Sequence, residues 1–251
     1  DWNGLKMQTA QIVIVGGGLS GLYAAYLLQQ RGFRDYVLLE AREVLGGRIV
    51  SVPAPAPGSM SGSAAEVANR FDLGPSWFWP DYQRQLDRLV DELGLARFEQ
   101  FEDGDMMVER SPHAAPARMR GYASAPPSMR LLGGMAALTN ALHRRLDPAR
   151  IFTGRTVRAL RATEAQVEVE SLDASGRMTT SRAEQVLLAL PPRLVDARIA
   201  FSPVLPEALS RQWRATPTWM APHAKYLAVF DMPFWRELGL SGEARSACGP
   251  L

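Results

Sequence analysis

The sequence predicts an α/β fold, a Rossmann-like βαβ domain interleaved with a second, α+β domain. Three observations predict it. Gln11–Val15 (QIVIV) is a short aliphatic, β-branched run that ends in glycines, the pattern of a parallel strand covered on both faces. Leu19–Arg31 carries apolar residues at helical spacing and is followed by Gly32, a residue suited to a helix C-terminus. Tyr36–Glu40 (YVLLE) is a second buried strand, and strand, helix and strand within about 30 residues make a βαβ unit. No single Pro/Gly-rich linker divides the remainder, which favours interleaved domains over two beads on a string.

The later elements follow in order. Ser51–Ser63, rich in Pro, Ala, Gly and Ser, reads as an exposed, mobile loop. Phe71–Pro80 (FDLGPSWFWP) is turn-rich yet aromatic, an unusual composition for a solvent loop. Tyr82–Leu93 is an amphipathic helix ended by Gly94, and Phe98–Arg110 suggests a hairpin turning at Asp103-Gly104. Pro112–Pro127 is irregular and Gly134–Leu146 helical. Thr156–Leu190 reads as antiparallel strands with a turn near Asp173–Gly176, closing in an apolar strand, Gln185–Leu190, that Pro191-Pro192 stop. Pro206–Trp213 is a short helix and Ala224–Asp231 a further strand.

The chain has 251 residues, 47% hydrophobic, enough for a substantial core. Its 28 Lys and Arg are nearly matched by 26 Asp and Glu and are scattered, so a nucleic-acid partner is not expected. Lysine is almost unused, Lys6 and Lys225 standing among arginines. One cysteine, Cys248, excludes an intrachain disulfide, and the three histidines and this cysteine have no metal-site spacing, so no metal is expected. No apolar run approaches the ~20 residues that span a bilayer, and no signal peptide is evident; a cytoplasmic protein is expected, with Met7 a candidate initiator.

Gly16-Gly17-Gly18-Leu19-Ser20-Gly21 fits G-x-G-x-x-G after a strand and at the start of a helix. Gly16 permits a tight turn, Gly18 lets backbone approach a pyrophosphate, and Gly21 lets helix and strand pack closely. The helix N-terminus then offers N–H groups and partial positive charge to a diphosphate. Glu40 closes the second strand nineteen residues after Gly21, where a carboxylate accepts hydrogen bonds from a ribose and repels a 2′-phosphate. The motif alone leaves NAD and FAD open.

Glu40-Ala41-Arg42-Glu43-Val44-Leu45-Gly46-Gly47-Arg48 resembles the E-A-R-x-x-x-G-G-R signature of the flavin amine oxidase superfamily, which includes monoamine oxidases, polyamine oxidases, L-amino-acid oxidases and related flavin desaturases. Physically, Gly46 and Gly47 allow a second close backbone approach, and the Arg48 guanidinium can neutralise a diphosphate with a planar fork. The resemblance continues through Asp72-Leu73-Gly74-Pro75-Ser76-Trp77, similar to a stretch that passes beside the flavin ring, and Leu132-Gly133-Gly134-Met135 before a helix. Leu188-Ala189-Leu190-Pro191-Pro192 resembles a strand end that lies against the cofactor, and Ala224-Lys225-Tyr226 with Phe234-Trp235-Arg236 and Ser241-Gly242 resembles the family's lysine and PFWR segment.

The resemblance implies non-covalently bound FAD, held by Gly16, Gly18, Leu19, Ser20, Gly21, Glu40, Ala41, Arg42, Gly47, Arg48, Leu73, Gly74, Pro75, Ser76, Trp77, Val157 (toward adenine) and Ala189. It implies a catalytic Lys225 that positions a water at the flavin. The implied reaction is oxidation of an amine C–N bond, by hydride transfer to flavin N5 and reoxidation by molecular oxygen to hydrogen peroxide. Trp77, Phe78 and Trp79 are candidates for an aromatic substrate wall. The same N-terminal signature also serves desaturases and porphyrinogen-type oxidases, and a non-catalytic nucleotide-binding fragment is a third reading. Nothing here matches the family's closing portion, so a truncated member is expected, with the FAD domain over 7–80 and 131–200 and a substrate-domain portion over 81–130 and 201–251. Apolar surface left uncovered by such a truncation favours a homodimer.

Overall fold

A computed structural model of the chain describes residues 8–53, 70–218 and 223–249. The chain forms two units, each built from two stretches: Asp1–Val50 with Leu138–Lys225, and Ser51–Ala137 with Tyr226–Leu251. Residues 51–80 and 131–137 thus go with the second unit, and 201–225 with the first. Local pairing explains the shift. Ser51–Pro53 ladders with Arg70–Asp72, and Asp72 bonds to the backbone of Met135. The Glu207–Ala215 helix packs instead on the Pro192–Arg198 helix.

The first unit is organised by a seven-stranded sheet in the order Ala200–Ser202, Thr156–Ala162, Val167–Leu172, Met178–Leu188, Gln8–Val15, Tyr36–Leu39, Ile151–Phe152. Gln8–Val15 lies parallel to both its neighbours, with Ile12–Val15 opposite Tyr36–Leu39 on one side and Gln185–Leu188 on the other. The Leu19–Gln30 helix connects the two N-terminal strands, so the expected βαβ unit is present. Val13, Val15, Val37 and Leu39 join Val157, Leu160, Val169 and Val195 in one core. Alternation explains the membership: successive strand residues face opposite sides, and the aliphatic run supplies both.

Thr156–Leu188 is a meander with two turns, at 163–166 and at Asp173–Arg177. The second is fixed by the Asp173 carboxylate, which accepts from Ser175 N–H, Ser175 Oγ–H and Arg177 N–H. Those bonds, the Ser175 hydroxyl foremost, lower its pKa to about 2. The apolar strand expected at Gln185–Leu190 is the end of a longer strand, Met178–Leu188. The neighbouring Val167–Leu172 strand pairs only as far as Ala183, so among the described residues Gln185–Leu188 carry a ladder on one side.

Among the described residues the second unit contains three small sheets. The hairpin expected over Phe98–Arg110 does not form. Arg97–Glu99 pairs antiparallel with Met129–Leu131, while Asp105–Glu109 pairs with Ala117–Met119 and, in parallel, with Leu240–Ser246. The reason lies in the intervening residues, which bond elsewhere. Gln100 N–H donates to the Ser128 carbonyl, and the Glu102 carboxylate accepts from Ser124 N–H and from the Ser124 and Ser128 hydroxyls. Burial acts to raise the Glu102 pKa, but these hydrogen bonds outweigh it and hold the carboxyl below its ordinary value. The stretch expected to be irregular, Pro112–Pro127, therefore contains a strand. Helices occupy Arg84–Glu92 and Ala136–Arg145, inside the expected ranges. Ser51–Pro53 is a strand, and the rest of the expected loop, 54–63, lies outside the described residues. Ala224–Asp231 forms no strand; it is irregular and exposed. Its aliphatic pattern suits a strand, but among the described residues no ladder takes it.

Candidate functional site: two glycine loops at a helix N-terminus

Two loops of the first unit meet backbone to backbone. The first leaves the Gln8–Val15 strand at Gly16, whose φ of +111° lies where L side chains rarely go. A Cβ on Gly16 would stand 2.7 Å from the Ala189 carbonyl oxygen, and one on Gly21 only 1.9 Å from the Gly16 oxygen. Both glycines are therefore consumed by packing. Gly18 differs: its φ is −77°, and a Cβ there would meet nothing nearer than the Gly47 Cα at 3.6 Å. Gly18 is also the N-cap of the Leu19–Gln30 helix, which no side chain caps, with Leu19 and the exposed Ser20 in the first turn.

The second loop runs from Glu40 to Arg48. Gly46 N–H donates to the Gly17 carbonyl at 2.9 Å, and Gly18 and Gly46 form a parallel bridge. A Cβ on Gly47 would lie 2.9 Å from the Gly18 Cα, so only glycine permits this approach. The loop is also bound to the next strand connection: Glu40 N–H donates to the Phe152 carbonyl, Gly154 N–H to that of Arg42, and Arg155 N–H to that of Glu40. Val157 follows, buried in the core, and Ala189 donates its N–H to the Val15 carbonyl.

Glu40 is 6% exposed, and both its carboxylate oxygens have partners. Oε2 accepts from Gly17 N–H at 2.7 Å; Oε1 accepts from Arg42 N–H at 3.0 Å and Arg42 Nε at 3.5 Å. The residue expected to meet a ribose thus also pins the glycine loop to the second strand. Oε2, with one donor, retains capacity for another. Ala41 and Arg42 are exposed beside it, and Arg48 is exposed with no hydrogen-bond or ion-pair partner among the described residues. A glycine seam, a helix N-terminus without a side-chain cap and an unpaired guanidinium suit a diphosphate. The structure thus brings together Gly16, Gly18, Leu19, Ser20, Gly21, Glu40, Ala41, Arg42, Gly47, Arg48, Val157 and Ala189 within one unit.

The second unit holds the Leu73–Trp77 segment. Asp72, 2% exposed, precedes it and accepts from Ser51 Oγ–H at 2.5 Å and from Met135 N–H at 2.8 Å. Ser51 Oγ in turn accepts from Ala136 N–H at 2.9 Å. Together they cap the Ala136–Arg145 helix. Leu73, Pro75 and Trp77 are exposed, Gly74 is half-buried and Ser76 buried. The Trp77 indole N–H donates to Gln100 Oε1 at 2.9 Å. Phe78, a candidate for the substrate wall, is fully buried, its N–H and carbonyl both bonded to Met129. It is core; Trp77 and Trp79 keep exposed surface.

Sequence reasoning missed Ser51, Asp72 and Gln100. One signal pointed to the first two: Gly133-Gly134-Met135 gives the following helix no Ser, Thr, Asp or Asn of its own, so the cap had to come from elsewhere. Lys225, expected on a strand, is exposed in an irregular segment. Among the described residues no His, Cys, Asp and Glu cluster could hold a metal ion, and no helix is long and apolar enough to cross a membrane.

Residues 14–93 match the model of an NAD(P)-binding Rossmann-like domain, and residues 97–250 that of the flavin containing amine oxidoreductase family. The chain is similar to the "Probable flavin-containing monoamine oxidase A" of Dictyostelium discoideum, 22% identical with 96% of this chain and 69% of that protein covered. It is similar to the putrescine oxidase of Kocuria rosea, 24% identical, with 92% and 66% covered. The chain therefore spans about two thirds of the length of these relatives. The first alignment runs over 338 positions, more than the chain's 251 residues, so that relative also carries residues inside the matched span that this chain lacks. Among solved structures, the cyclohexylamine oxidase of Brevibacterium oxydans IH-35A superposes with a TM-score of 0.74 at 15% identity, covering 95% of this chain and 70% of that one, a likeness of fold. With its family model matched over more than half its length, the chain belongs to the flavin-containing amine oxidoreductase family.

Proposed function

We propose that the chain binds FAD non-covalently and serves the oxidation of a small-molecule amine at its C–N bond. The observation that carries this reading is the seam between the two glycine loops, where the half-buried Gly18 stands at an uncapped helix N-terminus which, with Arg48, is favourable to an anion. Gly16, Gly18, Leu19, Ser20 and Gly21 would hold the diphosphate, joined by Gly47 and Arg48. Glu40, with Ala41 and Arg42, would hold the ribose, Val157 the adenine, and Ala189 the strand end beside the cofactor. Leu73, Gly74, Pro75, Ser76 and Trp77 would present backbone and one exposed indole to the ring system. When bound, the flavin supplies the hydride acceptor, at N5, and the centre that molecular oxygen reoxidises with formation of hydrogen peroxide. The chain's own part is to bind, orient and exclude water. Lys225 is proposed to hold a water by its ammonium group, and an aromatic wall favours the neutral, reactive amine over its ammonium form. Named relatives support an amine as substrate. Exposed apolar residues further support self-association as a homodimer.

The test is an absorbance spectrum of the purified chain, before and after incubation with excess FAD and desalting. The expected result is retained flavin bands that denaturation releases and that an amine bleaches without air. Failure to retain flavin after reconstitution overturns the proposal.

A further inference from the structure

We propose that Gln100 is a positioning residue: its carboxamide fixes the orientation of the Trp77 indole and so sets how that ring meets the amine. The inference rests on the reading that Trp77 faces the substrate. Trp77 is 46% exposed, a large ring at the surface rather than in a core, and its N–H is held by Gln100 Oε1. A tryptophan anchored at its polar tip presents its faces at a defined angle, and so fixes the apolar surface against which the carbon chain of an amine packs.

The support of Gln100 is built rather than incidental. Its Oε1 also receives Arg130 Nη1 at 3.4 Å, and its Nε2 donates to the Phe101 carbonyl at 3.1 Å. Two donors on one side and an acceptor on the other leave only one orientation of the amide; the flipped amide would set N–H against N–H. Arg130 is itself held over the Phe98 ring at 5.9 Å, opposite Phe98 in the Arg97–Glu99 and Met129–Leu131 ladder. The backbone at both ends is pinned to the same strand: Phe78, next to Trp77, exchanges two hydrogen bonds with Met129, and Gln100 N–H reaches the Ser128 carbonyl. Adjacent residues thus fix where the indole starts and where its acceptor stands. The carboxamide holds the polar tip of the indole, and with it the angle of the ring.

The experiment follows the Trp77 indole N–H resonance in protein labelled with nitrogen-15 tryptophan, assigned with Trp77→Phe, during titration with putrescine. In Gln100→Leu the resonance is expected to move upfield through loss of its acceptor, and putrescine affinity to fall about 3- to 10-fold, the worth of one hydrogen bond. Gln100→Glu keeps an acceptor in place and is expected to restore both. An unmoved resonance in Gln100→Leu overturns the inference, as does equal putrescine affinity in wild type and Gln100→Leu. If putrescine never perturbs Trp77 while FAD-loaded protein still turns over amine, the inference fails and the proposed function stands; absence of turnover and flavin retention, with the resonance shift intact, overturns the function instead.

Discussion

Single glycines carry different burdens in the nucleotide motif, and the difference is measurable. Gly21→Ala would force a methyl to within 1.9 Å of the Gly16 oxygen, a backbone atom that cannot swing aside. Its expected cost is at least the ~1–3 kcal/mol typical of overpacking, read as a lower urea midpoint. Gly18→Ala meets ordinary van der Waals distances at a φ any residue adopts, so stability should change by no more than about 1 kcal/mol. Its methyl would instead narrow the approach to the backbone at the seam, and FAD affinity should fall tenfold or more, ~1.4 kcal/mol, in a flavin fluorescence titration. Equal losses of stability in the two variants would show that the Gly18 face is packing surface and not a cradle. This distinction was half legible in the sequence. The motif assigns the three glycines their roles, but the reach of Glu40 back to Gly17 N–H is a tertiary fact, invisible to spacing. Asp72 was equally hidden, because the helix it caps begins more than sixty residues later.

Elements were legible where period and punctuation agree. Strand, helix and strand over Gln8–Leu39 are bounded by glycines and by an abrupt change of period, and the structure places them where the pattern does. The hairpin over Phe98–Arg110 failed because a turn dipeptide fixes a bend and not a partner. Gly104 does adopt a φ of +112°, but the strands on either side find their hydrogen bonds in different sheets. The Ala136–Arg145 helix shows the energetic side of such long-range ties. Asp72→Ala would leave Met135 N–H and the Ser51 hydroxyl without their acceptor in a buried place, at an expected cost of about 2–3 kcal/mol; Asp72→Asn, which keeps Oδ1, should cost less. Urea denaturation reads both. The Asp173 turn carries a pH signature. Its carboxyl is lowered from 3.8 to about 2, so the bonds to Ser175 and Arg177 are complete above pH 3.8 and are lost as pH falls through about 2. The amide resonances of Ser175 and Arg177 should titrate with a midpoint near 2, and Asp173→Asn should abolish that titration; a midpoint near 3.8 would mean that the turn does not hold the ionised carboxylate.

At the scale of the whole chain, the interleaving was legible from the absence of a linker, but its seams were not, since they depend on which strands pair. The structure leaves two stretches with apolar groups facing water. In the middle of the first unit's sheet, Gln185–Leu188 pairs on one side only among the described residues, and Leu187 is 43% exposed where its ladder partner Ile14 is fully buried. In the second unit, Phe230, Phe234 and Trp235 stack edge to face, with Tyr226, Phe230 and Phe234 largely exposed. An unpaired parallel edge offers a row of backbone donors and acceptors to any extended segment, and native sheets commonly block such edges with charge, lysine above all. This edge exposes Leu187 and the uncharged Gln185, while Val186 and Leu188 turn to the other face and pack against the core. Self-association through the edge is the physical expectation. Sedimentation velocity over a wide concentration range should show a coefficient that rises with concentration in the wild type. Leu187→Lys introduces the missing charge at an already exposed position, so it should flatten that rise without lowering the thermal midpoint. A rise that persists unchanged in Leu187→Lys and disappears in Phe230→Ser would move the contact from the sheet edge to the aromatic cluster of the second unit.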